Sequence, residues 1–84
     1  MSELNPVVIY IEYGKINVKL KEYIDPRGIT RNHICQATNT RFEVINKWYN
    51  NEVERMDLDI LARICYVLDC KPEDIISYEK PEKK

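Results

Sequence analysis

Glycine is scarce, with 2 in 84 residues beside 4 prolines. Long irregular loops lean on both residue types, so helices are the simplest way for this chain to build a domain. Long apolar runs are missing too: no stretch approaches the roughly 20 residues that a membrane-spanning helix needs. The opening MSELNPVVIYIEYGK lacks a basic leader and a cleavage site, and Glu12 interrupts its apolar run, so it does not read as a signal peptide. Three cysteines, Cys35, Cys65 and Cys70, form no C-x-x-C pair and share the chain with one histidine, His33. That argues against a disulfide framework or a zinc site. It favours reduced thiols serving as small apolar groups, and with them a cytoplasmic location. No Ser/His/Asp set, glycine-rich phosphate loop or metal-ligand cluster is present, so neither an enzyme nor a cofactor is expected. Strong basicity is the last absence, for the net charge is −1.

What is present is an ordinary soluble composition, 44% hydrophobic and 32% charged. The length fits one domain. A chain this short hides only about 60–65% of its unfolded surface, so its core must be compact.

The residues Pro6 to Tyr13, PVVIYIEY, are β-branched and aromatic and predict a strand. Gly14-Lys15 could turn that strand into a short hairpin with INV. A lone hairpin is marginal in water, so it needs the helical body or a second copy of the chain as partner. From Val18 the period changes, and Val18, Leu20, Tyr23 and Ile24 predict a short amphipathic helix that Asp25-Pro26 and Gly28 stop. Thr30 is placed to cap a second helix whose apolar side is Ile34, Cys35 and Ala37. Asn39 sits where the chain must turn and tolerates a left-handed conformation. Thr40 is expected to cap a third helix with Val44, Ile45 and Trp48 inward. Asp57 should cap a fourth, in which Leu58, Leu61, Ile64, Cys65 and Leu68 recur at helical spacing, with Asp59 and Arg63 outside. KPEDIISY predicts a last helix, with Pro72 in its first turn, Glu73 and Asp74 at its positive end, and Ile75 and Ile76 docked. The division read from this is a strand-like extension over 1–17, one domain over 18–78 and a charged tail over 79–84.

Two short helices about a turn former are the helix-turn-helix pattern. Here the pair is TRNHICQAT and TRFEVINKWYN, followed by LDILARICYVLDCKPEDII. With RGIT before the second helix and Ile45 with Trp48 inside the third, the run from about Leu20 to Tyr78 resembles the Cro/lambda-repressor-like (Xre) family of bacterial and phage DNA-binding domains. The likeness implies a mainly α, five-helix fold carrying a short N-terminal strand or hairpin, and double-stranded DNA as partner. It puts the third helix in the major groove, with Arg41, Phe42 and Glu43 at the base-reading positions and Lys47 one turn further on. Asn46 lies on the flank of that face. The same likeness puts Thr30 and Arg31, with Thr40, Asn46 and Asn50, near the DNA backbone.

Each of these residues also has a plainer role open to it. Arg41 could pair with guanine, clamp a phosphate or simply be solvated. Thr40-x-x-Glu43 fits a capping box, which competes with a Glu43 contact to cytosine. Phe42 could meet a thymine methyl group or be tucked against the N-terminal strand or a partner. Ile45 and Trp48 read as core, Tyr49 and Tyr66 as partly exposed, and His33 as a surface histidine.

Charge is unevenly spread. Residues 30–56 hold Arg31, Arg41, Lys47 and Arg55 against Glu43, Glu52 and Glu54, while the acid excess lies in residues 57–84. Two functions fit this pattern. One is a sequence-specific transcriptional regulator, a repressor acting as a homodimer on half-sites about 34 Å apart. The other is a protein-binding module on a repressor-like scaffold, such as an antitoxin or anti-regulator, with weak DNA binding or none.

Overall fold

The computed structural model describes Leu4, Pro6, Val7 and residues 12–81. In chain order these form a strand β1 (Lys15–Val18), helix α1 (Leu20–Ile24) with a 3-10 turn at Asp25–Arg27, and helices α2 (Arg31–Thr38) and α3 (Phe42–Tyr49). Helices α4 (Leu58–Leu68) and α5 (Pro72–Ile75) and a strand β2 (Ile76–Glu79) complete the fold. The fold is mainly α with five helices, as the sequence predicts. α2 packs on both α3 and α4, α1 on α3, and α5 closes against α1 and α4. Between them lies a core of Leu20, Ile24, Ile34, Ile45, Trp48, Leu61, Ile64 and Ile75, bordered by Val18.

Helix ends explain how so few glycines suffice. Four segments each stop at one left-handed residue, Gly28, Asn39, Asn51 or Asp69. At every one the next residue's N–H reaches back across the turn. Ile29 donates to Ile24 O, Thr40 to Cys35 O, Glu52 to Lys47 O and Cys70 to Cys65 O, at 2.8–3.1 Å. This is the Schellman arrangement, which satisfies carbonyls the helix leaves open. Asn and Asp tolerate that conformation through their short polar side chains. The last closure also brings Cys65 and Cys70 together, the usual apolar contact across such a cap. Burial pushes the Cys70 thiol up to about 11, with Cys65 beside it adding to the rise. Burial likewise raises the Cys35 thiol. All three cysteines are free thiols.

Several expectations need correction. Val18 belongs to a strand, not a helix, and α1 begins at Leu20. β1 pairs antiparallel with β2, matching Ile16 with Tyr78 and Val18 with Ile76, and not with the preceding residues as a hairpin. Of the strand expected over Pro6 to Tyr13, residues 8–11 lie outside those described, and Pro6, Val7, Glu12 and Tyr13 belong to no strand. Gly14 has the positive φ expected, at 87°, yet its use is close approach. A Cβ there would stand 2.3 Å from Glu79 O and 2.9 Å from the Tyr78 ring. The last helix ends at Ile75 because the chain must leave it to lie beside β1; ISYE is β-branched and aromatic enough to do so. The ribbon therefore crosses both expected boundaries, at 17/18 and at 78/79.

Two apolar assignments also shift. On α2 it is Thr38 that is buried with Ile34, one turn apart, while Ala37 is exposed. The Thr38 hydroxyl donates to Ile34 O at 2.6 Å, which removes the penalty of burying it. On α4, Leu58 is 73% exposed: it is the first helical residue, a turn short of the packed surface that Leu61 and Ile64 occupy. Asp57 does cap α4, accepting from Asp59 N–H at 2.9 Å. Pro72 stands in the first turn of α5, where Asp74 accepts from Lys71 N–H at 3.0 Å. No helix among the described residues is long and apolar enough to cross a membrane.

Candidate nucleic-acid interface

α2 and α3 are joined by Asn39, Thr40 and Arg41. Asn39 takes φ 56°, ψ 49°, and the two helices pack on each other. α4 fixes this turn from behind. Arg63 donates from Nη1 to Thr38 O at 3.2 Å and to Asn39 O at 3.3 Å, while its Nη2 pairs with Asp59 at 2.9 Å. Arg63 is exposed on the outer side of α4, as its spacing predicts, and still reaches back to the turn. Only the closed fold brings two sites 24 and 25 residues apart into register.

On α3 the residues Ile45 and Trp48 are 0% and 2% exposed, so they are core. The opposite face carries Glu43, Asn46, Lys47 and Asn50, at the helical spacing of one exposed stripe. Glu43, Lys47 and Asn50 are exposed and Asn46 is half-buried. Arg41 is exposed just before the helix. Among the described residues, neither Arg41 nor Lys47 takes part in an ion pair.

Thr40 does not cap α3. The N-cap is Arg41, which makes no side-chain cap bond. Thr40 is instead drawn to the end of α2, its N–H bonded to Cys35 O and its hydroxyl donating to Thr38 O at 3.2 Å. The expected box with Glu43 is therefore absent, and Glu43 is left solvated. The consequence is chemical. The N–H groups of Phe42 and Glu43, in the first turn of α3, have no acceptor within the helix. α2 begins differently: Thr30 Oγ1 accepts from His33 N–H at 3.1 Å, as the sequence predicts, which leaves the Arg31 and Asn32 N–H groups open. His33 itself is on the surface. Two helix starts thus offer free N–H groups beside a cation, half-buried Arg31 at α2 and exposed Arg41 at α3, a combination suited to phosphate oxygens.

Arg31 is less free than expected. It is half-buried, donates to Asn46 Oδ1 at 2.6 Å, and stacks its guanidinium 4.3 Å from the Tyr49 ring and 5.7 Å from that of Phe42. Asn46 is thereby engaged inside the protein. Arg31 keeps most of its five N–H donors for an outside acceptor. Phe42, 45% exposed, lies on the Arg31 side of α3. Behind it, Tyr49 O–H donates to Asp25, 2.9 Å from either carboxylate oxygen, and Lys21 pairs with Asp25 at 2.9 Å. Lys21 and Tyr49 together hold the Asp25 carboxyl below its ordinary range, and Asp25 with Tyr49 raises the Lys21 ammonium. The cluster of Lys21, Asp25, Arg31 and Tyr49 ties α1 and the start of α2 to α3. It sets the position of the exposed stripe; none of it was legible from spacing alone.

Comparison with known proteins agrees with this geometry. No curated protein matches the sequence. Among solved structures, a candidate DNA-binding protein from Bacteroides fragilis is similar at 17% identity, with a TM-score of 0.66 over 75% of this chain and 100% of that one. The transcriptional regulator VanUg is similar at 22% identity, with a TM-score of 0.67 over 90% of this chain and 100% of that one. At such identities the likeness is one of fold. The sequence profile of the Cro/C1-type helix-turn-helix DNA-binding domain matches residues 19–81, a span from the end of β1 through β2. The chain belongs to that family.

Proposed function

We propose that the chain is a transcriptional regulator, a repressor, that binds a two-fold-symmetric operator as a homodimer with α3 in the major groove. The observation that carries this reading is the exposed stripe of α3 beside two helix starts with open N–H groups, in a member of a DNA-binding family. Arg41 and Lys47 supply cations to base edges or phosphates, and Phe42 and Glu43 stand at the groove floor. Thr30, Arg31, Thr40 and Asn50 flank the backbone, while Asn46 acts through Arg31 by holding its guanidinium. With a net charge of −1, electrostatic attraction contributes modestly, and two half-sites must supply what one lacks.

Selection of randomised duplexes at low salt tests this. An enriched palindromic sequence is expected, with Arg41→Ala weakening binding about 10- to 100-fold and relaxing preference at one position of each half-site. Failure to enrich any sequence, with Arg41→Ala indistinguishable from the parent, would refute it. A second reading, a protein-binding module, is favoured by one feature: Leu58 and Tyr66 on α4 are 73% and 88% exposed. A protein partner lost on Tyr66→Lys, in a chain that binds no duplex, would support that reading instead.

A further inference from the structure

Two of the three thiols meet at one helix end. α4 stops at Leu68, and Asp69 turns the chain back with φ 53° and ψ 51°. The reversal lays Cys70 against the last turn of the helix it has just left, where its N–H donates to Cys65 O at 3.0 Å. Residues joined by such a bond stand roughly 5–6 Å apart at their α-carbons, inside the range that a disulfide spans. The side chains at these two positions of a Schellman cap also face each other. Both thiols are free and half-buried, both border the core, and one hydrogen-bonds the other. Cys35, on α2, stands apart from them: burial and Glu43 raise it, with neither other thiol contributing. Among the described residues, no group of three His, Cys, Asp or Glu side chains is placed to hold a metal ion. A close pair of thiols is suited instead to closing on itself.

We propose that Cys65 and Cys70 form an oxidation site, which closes to an intramolecular disulfide by exchange with a low-molecular-weight disulfide such as oxidised glutathione. The first attack falls to Cys65. Its thiolate adds to one sulfur of the glutathione disulfide, whose S–S bond breaks and releases one glutathione thiolate. Cys70 then gives its proton to solvent and attacks the Cys65 sulfur, expelling the second glutathione. The chain loses two hydrogens, and one glutathione disulfide becomes two thiols.

The order of attack follows from the environment of Cys70. Burial first, and Cys65 second, push its thiol up to about 11, with Asp74 adding to the rise and Arg27 opposing it. So little of it is ionised that it is a slow first attacker. Its thiolate, once formed, is a strong nucleophile held beside its target. In the reverse direction, a reductant that attacks the Cys65 sulfur must expel this same thiolate, a poor leaving group, so the closed form resists reduction.

The bond pins the end of α4 to the residues that lead into α5, and α5 packs on both α1 and α4. Two residues before Cys65 lies Arg63, which braces the turn between α2 and α3. Oxidation therefore fastens the scaffold behind α3. The inference goes beyond the regulator reading and does not depend on it.

The test is to incubate the full chain with mixtures of reduced and oxidised glutathione, alkylate the remaining free thiols and map the tryptic peptides. The peptide that begins at Ile64 holds Cys65 and Cys70 but not Cys35. It is expected to be two hydrogens lighter, unalkylated and free of glutathione. Cys70→Ser should instead leave glutathione on Cys65, and Cys35→Ser should leave the closure unchanged. The oxidised parent should unfold about 5–10 °C above the reduced one, because the link constrains the unfolded chain. Three results on the parent would each overturn the proposal, whether or not any variant folds. They are a peptide still fully alkylated in a large excess of oxidised glutathione, glutathione retained on Cys65, and closure that occurs only in urea.

Discussion

The segments that hold α2 and α3 begin with the same two letters. TRNHICQAT and TRFEVINKWYN each open on Thr-Arg, both helices are 8 residues long, and each is followed by a left-handed asparagine. Even so, the two pairs do different work. Thr30 caps its helix and Arg31 is folded against α3; Thr40 serves the helix before it, and Arg41 points into solvent. What differs is the chain on the N-terminal side. Before Thr30 the chain has already closed the preceding turn, with Gly28 left-handed and the Ile29 N–H bonded to Ile24 O, which frees the threonine to turn onto His33 N–H. Before Thr40 lies the closure of α2, whose carbonyls capture the Thr40 N–H and hydroxyl. A local motif takes the role its neighbours leave open.

Changing the two arginines should separate them most. Arg31→Ala removes a charge-assisted hydrogen bond and two ring contacts, and should lower unfolding free energy by about 1–2 kcal/mol in urea titrations. Arg41→Ala should leave that quantity within about 0.5 kcal/mol and act only on DNA affinity. Equal destabilisation by both would mean that Arg31 is not latched as described. The threonines come next. Thr30→Ala should cost about 1 kcal/mol, the usual price of losing a cap, and Thr40→Ala less than about half of that, since its hydroxyl bonds one carbonyl at a helix end. A larger loss at Thr40 would restore it as a cap. The smallest effect concerns pH. The Asp25 carboxyl is depressed in the folded chain, so its stabilising contribution is full above the ordinary aspartate range and is lost as pH falls through the depressed value. Thermal unfolding of the parent should therefore weaken more than that of Asp25→Asn on acidification below about pH 4. The difference will be small, because the cluster is exposed to solvent.

The outline of the fold was legible because periodicity and caps are local. Val44, Ile45 and Trp48 mark an inner face whatever surrounds them, Asp57 and Pro72 mark helix starts, and Asn39 marks a turn. Asn51 and Asp69 carry the same signal as Asn39, a short polar residue just after a helical run. The candidate site was half legible. Exposure of Arg41 and Lys47 follows from their spacing against Trp48. The engagement of Arg31, Asn46 and Tyr49 does not, since it spans three elements.

By itself, then, the sequence determined the class of fold, the inner faces of its helices and the residues that must face outward, since each depends on neighbours within about two turns. Tertiary structure alone decided the partner of β1, the end of the last helix at Ile75, the loss of the Thr40 cap and the Arg63 brace on the turn. Each of those is a choice between hydrogen-bond acceptors or strand edges of similar local merit. A distant residue arriving at one of them settles the choice.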